Sequence, residues 1–75
     1  MVVAFVLATT KDGKEKEVLD ELAKLSEVKE AWNVYGDYDV FMRAETTDLD
    51  RLNEFLINKV RSVPNIAMTT TMIGL

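Results

Sequence analysis

Residues 28–46, VKEAWNVYGDYDVFMRAET, decide the fold of this chain. Before Gly36, Val28, Trp32 and Val34 lie on or near one face, and Lys29, Ala31, Asn33 and Tyr35 on the other. After it, Val40, Met42 and Ala44 alternate with Phe41, Arg43 and Glu45. Period two is the repeat of a strand, whose successive side chains point to opposite faces. Gly36-Asp37 reads as a two-residue hairpin loop, because glycine tolerates positive φ and aspartate can bond nearby backbone. The stretch is two antiparallel strands and a turn.

Outward from the hairpin, VVAFVLA (2–8) is β-branched and apolar on both faces, as a central strand is. TTKDG breaks it, and Asp12 with Glu15 three residues later resembles a capping box opening a helix. Val18, Leu22 and Leu25, with Leu19 alongside, give that helix one apolar stripe. Beyond the hairpin, Thr47 or Asp48 caps a second helix, with Leu49, Leu52, Leu56 and Val60 about one turn apart. Pro64 forbids continuation, and NIAMTTTMI (65–73) makes a Thr-rich last strand.

The order is βαββαβ. A faint echo at a 36-residue offset pairs Phe5 with Phe41, Ala8 with Ala44, Thr10 with Thr46, Ser26 with Ser62 and Ala31 with Ala67. Two βαβ units with right-handed crossovers predict an α+β ferredoxin-like sandwich: a four-stranded antiparallel sheet, order 4-1-3-2, with both helices on one face. If Val3, Phe5 and Leu7 face the helices, the open face carries Val2, Ala4, Val6 and Ala8, joined by Ala31 and Phe41. A slip of one residue in register would remove that patch. The preferred expectation is a two-fold dimer that packs sheet on sheet through Ala4, Val6, Ala31 and Phe41.

Composition narrows the function. At 75 residues the chain is one small domain, burying roughly 60% of its unfolded surface, so oligomerisation is the expected extra source of stability. With neither Cys nor His, thiolate and imidazole chemistry is excluded and no metal or cofactor is expected. A net charge of −4, with Lys11, Lys14 and Lys16 interleaved among Asp12, Glu15 and Glu17, offers no basic face for nucleic acid. The apolar start is too short to span a membrane and lacks a signal pattern. A soluble cytoplasmic protein is expected.

This βαββαβ order, with Gly36, Asp37, Tyr38 and Asp39 at the hairpin and Pro64, Ile66, Thr69 and Thr71 at the last strand, resembles the RAM domain. That domain is the effector-binding module of Lrp/AsnC transcriptional regulators, and the resemblance covers the whole chain. Asn65 stands where the family carries glycine. Family members usually carry an N-terminal helix-turn-helix domain, for which residues 1–8 leave no room. The resemblance therefore implies a single stand-alone effector domain over 1–75 that binds no DNA itself. It also implies a free amino acid bound between dimers, assembly into tetramers or rings, and full-length regulators of the family as partners.

The candidate site follows from what an amino acid requires: an acceptor for its ammonium and donors for its carboxylate. Asp37 or Asp39 supplies the acceptor, backbone N–H groups near Gly36 the donors, and Tyr35 and Tyr38 apolar walls with polar tips. Asp39 is notable because an acid opening an apolar strand is disfavoured without a partner. Turn geometry alone accounts for Gly36-Asp37, and strand propensity alone for Thr69, Thr70 and Thr71; only the family's use of its last strand brings the threonines to the site. Trp32 and Met42, Met68 and Met72 read as packing residues. Arg43 with Glu45 reads as an exposed charge pattern.

Other readings of the same fold fit less well. An acylphosphatase-like enzyme would want an arginine in the first loop, TTKDGK, and a monooxygenase a histidine pocket. The carboxylates Asp37 and Asp39 are at most an acid and a base with no marked substrate. A non-enzymatic protein is expected. The ACT domain, an allosteric or oligomerisation module of the same element order, is the rival family.

Overall fold

The computed structural model describes residues 1–75. Strands β1 (Val2–Thr10), β2 (Val28–Asn33), β3 (Val40–Thr46) and β4 (Ile66–Ile73) form one sheet. Its order is β2-β3-β1-β4, which is the expected 4-1-3-2, and every pairing is antiparallel. Helix α1 (Glu15–Ala23) follows β1, and α2 (Leu49–Glu54) follows β3. No helix is long and apolar enough to cross a membrane.

The two faces of β1 are assigned opposite to the expectation. Ala4, Val6 and Ala8 are at most 1% exposed and join Val18, Leu22, Leu52, Phe55 and Val60 in the core under the helices. Their partners on β3 are Ala44, Met42 and Val40. Small side chains at Ala4 and Ala8 leave the volume that Leu22 and Phe55 fill, since interiors pack at near-crystalline density. Val3, Phe5 and Leu7 therefore stand on the open face, opposite Glu45, Arg43 and Phe41. Of the four residues expected at a sheet-to-sheet interface, Ala4 and Val6 are core residues and Ala31 packs against the core. Phe41 alone lies on the open face.

Two helix details also differ from the sequence reading. Asp12 caps nothing: the α1 N-cap is Lys14, which makes no side-chain capping bond, after a turn at Gly13 (φ +77). Glu15 and Glu17 still complement the helix dipole in the first turn. Asp48 does cap α2, accepting a hydrogen bond from the Arg51 N–H at 2.9 Å. Past Glu54 the helix widens into a π-helical segment, Phe55–Val60. The wider turn brings Phe55 and Val60, five apart, to the core together at 1% exposure each, while Leu49 is left 59% exposed.

Candidate functional site

The loop between β2 and β3 runs over six residues, 34–39, rather than the two of a tight turn. It is closed by the Val34 N–H donating to the Asp39 carbonyl at 2.9 Å. Gly36 sits at φ +117, which demands glycine. Tyr35 is fully exposed, and the Asp37 carboxylate is exposed with no hydrogen bond or ion pair inside the chain. These two are free to meet something else.

Asp39 and Tyr38 are already engaged. The Asp39 N–H donates to the Ala8 carbonyl at 2.9 Å, the last backbone bond between β3 and β1. Its Oδ2 then accepts from the Thr10 N–H at 2.8 Å and from the Thr10 hydroxyl at 3.3 Å. The acid that opens this apolar strand thus has a partner in its own chain, Thr10, which the sequence did not single out. Tyr38 reaches across β1 to the edge strand, its hydroxyl 2.9 Å from the Thr70 hydroxyl.

The three threonines part company. Thr70 pairs with Leu7 on the open face, whereas Thr69 and Thr71 pair with Ala8 and Val6 and so point to the helix side. The fold gathers Tyr38, Asp39 and Thr70, with Tyr35, Gly36 and Asp37 on the adjoining loop. Beside that loop, a groove of about 570 Å³ is lined by Glu15, Lys16, Asn33, Val34, Tyr35 and Asp39. It offers carboxylates and one ammonium, the charge pattern that a zwitterion complements. Glu15 and Lys16 were read from sequence as a solvated helix start. Only the chain's path, with the Asn33 amide donating to the Glu15 carbonyl at 3.3 Å, brings them to the loop.

A larger groove, about 710 Å³, lies at the other end of β2 and β3, between Glu27 and the π-helical segment. Its charges are largely matched among themselves: Lys59 donates to Glu27 at 2.7 Å and Arg51 stands 3.5 Å from Glu54. The Lys59 ammonium holds the Glu27 carboxyl below its ordinary range, against the opposing effect of burial. Size alone does not make it the site.

The open face of the sheet adjoins the loop. A row of rings crosses it, Phe5 to Phe41 at 5.9 Å and Phe41 to Trp32 at 5.6 Å. Trp32, Met72 and Met68 are 46%, 51% and 61% exposed there. Arg43 interrupts the apolar surface, but its guanidinium is held by Glu30 at 2.6 Å and by Glu45, and those carboxylates raise its pKa.

A family model described as the Lrp/AsnC ligand binding domain matches residues 3–75. The HTH-type transcriptional regulator FL11 of Pyrococcus horikoshii is 39% identical over 74 residues, which are 99% of this chain and 48% of that protein. The chain spans about half the length of the curated relatives it matches. Among solved structures, a hypothetical protein from Pyrococcus horikoshii is 48% identical, with a TM-score of 0.95 over 100% of this chain and 90% of that one. AsnC of Escherichia coli is 32% identical, with a TM-score of 0.93 over 99% of this chain and 50% of that one.

Proposed function

The chain belongs to the Lrp/AsnC ligand-binding domain family, and from that premise we propose that it is an amino-acid-responsive regulatory module acting through protein contact rather than catalysis. Loop 34–39 carries this reading. It presents an unpaired carboxylate, Asp37, and an exposed aromatic, Tyr35, beside a groove that holds both signs of charge. Asp37 is the acceptor for the effector's ammonium, with the second oxygen of Asp39 beside it. Backbone N–H groups near Gly36 and the Lys16 ammonium serve the carboxylate. Thr70, through Tyr38, is the one threonine of the last strand that the loop reaches.

The open sheet face supports a dimer as the basic unit. Val3, Phe5, Leu7, Phe41 and Trp32 give this face an apolar surface, interrupted by the ion-paired Arg43, of a kind that monomers seldom expose. The dimer expectation thereby passes to these residues, with Phe41 retained from the earlier set. Tyr35 on the projecting loop then suits contact between dimers, where an effector would be enclosed by more than one chain. Linkage does the rest: a ligand held between dimers favours whichever assembly completes its site.

Output passes through partners, including full-length regulators of the same family that enter mixed assemblies. With 13 acidic against 9 basic residues, the chain offers no basic stripe and binds no DNA by itself. A salt-sensitive gel shift at low micromolar protein would contradict that.

Titration calorimetry with each of the twenty amino acids, paired with native mass spectrometry, tests the proposal. Heat from at least one amino acid and a ligand-dependent mass are expected. Asp37→Asn should weaken that binding by about 1–2 kcal/mol, since it removes charge while keeping shape. No heat from any amino acid leaves a second reading, an ACT-like oligomerisation module. The prior engagement of Asp39 by Thr10 favours that alternative.

A further inference from the structure

The backbone ladder between β3 and β1 ends at the Asp39 N–H. One rung further, the Thr10 N–H has no backbone acceptor, because the chain has turned away into loop 34–39. The Asp39 carboxylate takes that rung with its side chain. Thr10 is also where the pairing of β1 with β4 slips: Thr9 faces Met68 and Thr10 faces Ile66, so Ala67 is skipped. The neighbouring residue, Tyr38, makes the one hydrogen bond between the loop and β4, at Thr70. Consecutive side chains thus fasten one loop to two strands, Asp39 at the bulged end of their pairing and Tyr38 in its regular part.

We propose that Tyr38 and Asp39 form a two-point latch that couples loop 34–39 to the order of the β1–β4 edge. Asp39 is then a positioning residue. A ligand or a neighbouring copy that draws its carboxylate away leaves the Thr10 N–H unpaired beside an existing irregularity, where a ladder opens at least cost. The change passes along β4 to Thr70 and Met72 on the open face. An event at the loop is thereby felt at the surface proposed for dimer contact. The coupling to an effector rests on the function proposed above; the latch itself is a property of the unliganded chain.

Amide hydrogen exchange on the full chain, measured by NMR without any amino acid, tests it. Asp39→Ala should speed exchange at Thr10 by at least about tenfold, the loss of one charge-assisted bond. The acceleration should extend to residues 66–68 and leave Val18 and Leu22 in α1 unchanged. Asp39→Asn keeps an oxygen able to accept from Thr10 and should recover most of the protection. Tyr38→Phe removes only the hydroxyl and should speed exchange around Thr70 while Thr10 stays protected.

Unchanged exchange at Thr10 in Asp39→Ala overturns the latch. So does acceleration confined to Thr10, or acceleration equal at Val18 and Leu22, which reports global loss of stability. Should Asp39→Ala fail to fold, the other two variants decide: unchanged exchange around Thr70 in Tyr38→Phe, or Thr10 protection in Asp39→Asn lost as fully as in the rest of the chain, overturns it. Calorimetry with no heat would retire the sensor and leave the latch standing.

Discussion

The two faces of β1 are both apolar, yet they do different work. Ala4, Val6 and Ala8 lie closed beneath the helices, whereas Val3, Phe5 and Leu7 lie on the open side. The larger side chains are on the uncovered face. This inverts the habit of assigning the bulkiest residues to the core. Beneath a helix the volume is supplied from above, by Leu22 and Phe55, and a strand contributes small residues to the joint. In the proposed dimer such a strand is covered twice, once by its own helices and once by a second copy.

The largest expected effect tests the closed face. Val6→Lys places an ammonium among residues at most 1% exposed, and should cost more than about 4 kcal/mol and leave the chain unfolded by circular dichroism. A folded monomer with this substitution would mean that the faces are assigned the wrong way round. Phe55→Ala sharpens the same contrast along the second helix. It should cost about 3–5 kcal/mol in denaturant unfolding. Leu49→Ala, at a 59% exposed position one would rank beside Leu52 by spacing, should cost less than about 1 kcal/mol.

The open face answers to a different readout. Phe5→Lys should leave the far-ultraviolet spectrum intact and halve the mass seen by light scattering at micromolar concentration, with Tm falling only as far as lost assembly requires. A wild type that is itself monomeric at that concentration would remove the second covering body from the comparison.

The smallest effect lies at the rim of the helical side. Because Lys59 lowers the Glu27 pKa, the pair contributes stability above the ordinary glutamate value of about 4.3, and loses it as pH falls through the lowered folded-state value. Wild type should exceed Lys59→Met by less than about 1 kcal/mol at neutral pH. The gap should close in acid; a gap that persisted there would assign the effect to packing.

Much of the candidate site was legible as residue types and little of it as roles. Glycine at 36 and aspartate at 37 mark the loop from sequence, and the structure leaves Asp37 unpaired there. Asp39 was legible as an acid needing a partner. That the partner is Thr10, 29 residues away, depends on where β3 leaves β1, which no local pattern states. The threonine run looked like one unit; strand alternation sends Thr70 to one face and Thr69 and Thr71 to the other.

By itself the sequence determined the element order, the hairpin, a second-helix cap at Thr47 or Asp48 and the strand order, because these follow from local periodicity, capping chemistry and the handedness of crossovers. Tertiary structure alone decided which face of β1 is inside, where the second helix widens to admit Phe55, and what Asp39 and Tyr38 hold. Period two specifies that side chains alternate without specifying the sign, and when both alternating sets are apolar the burial signal cancels. The sign is then set by volume: the helices fill the space above Ala4 and Ala8, and could not close on Phe5 and Leu7.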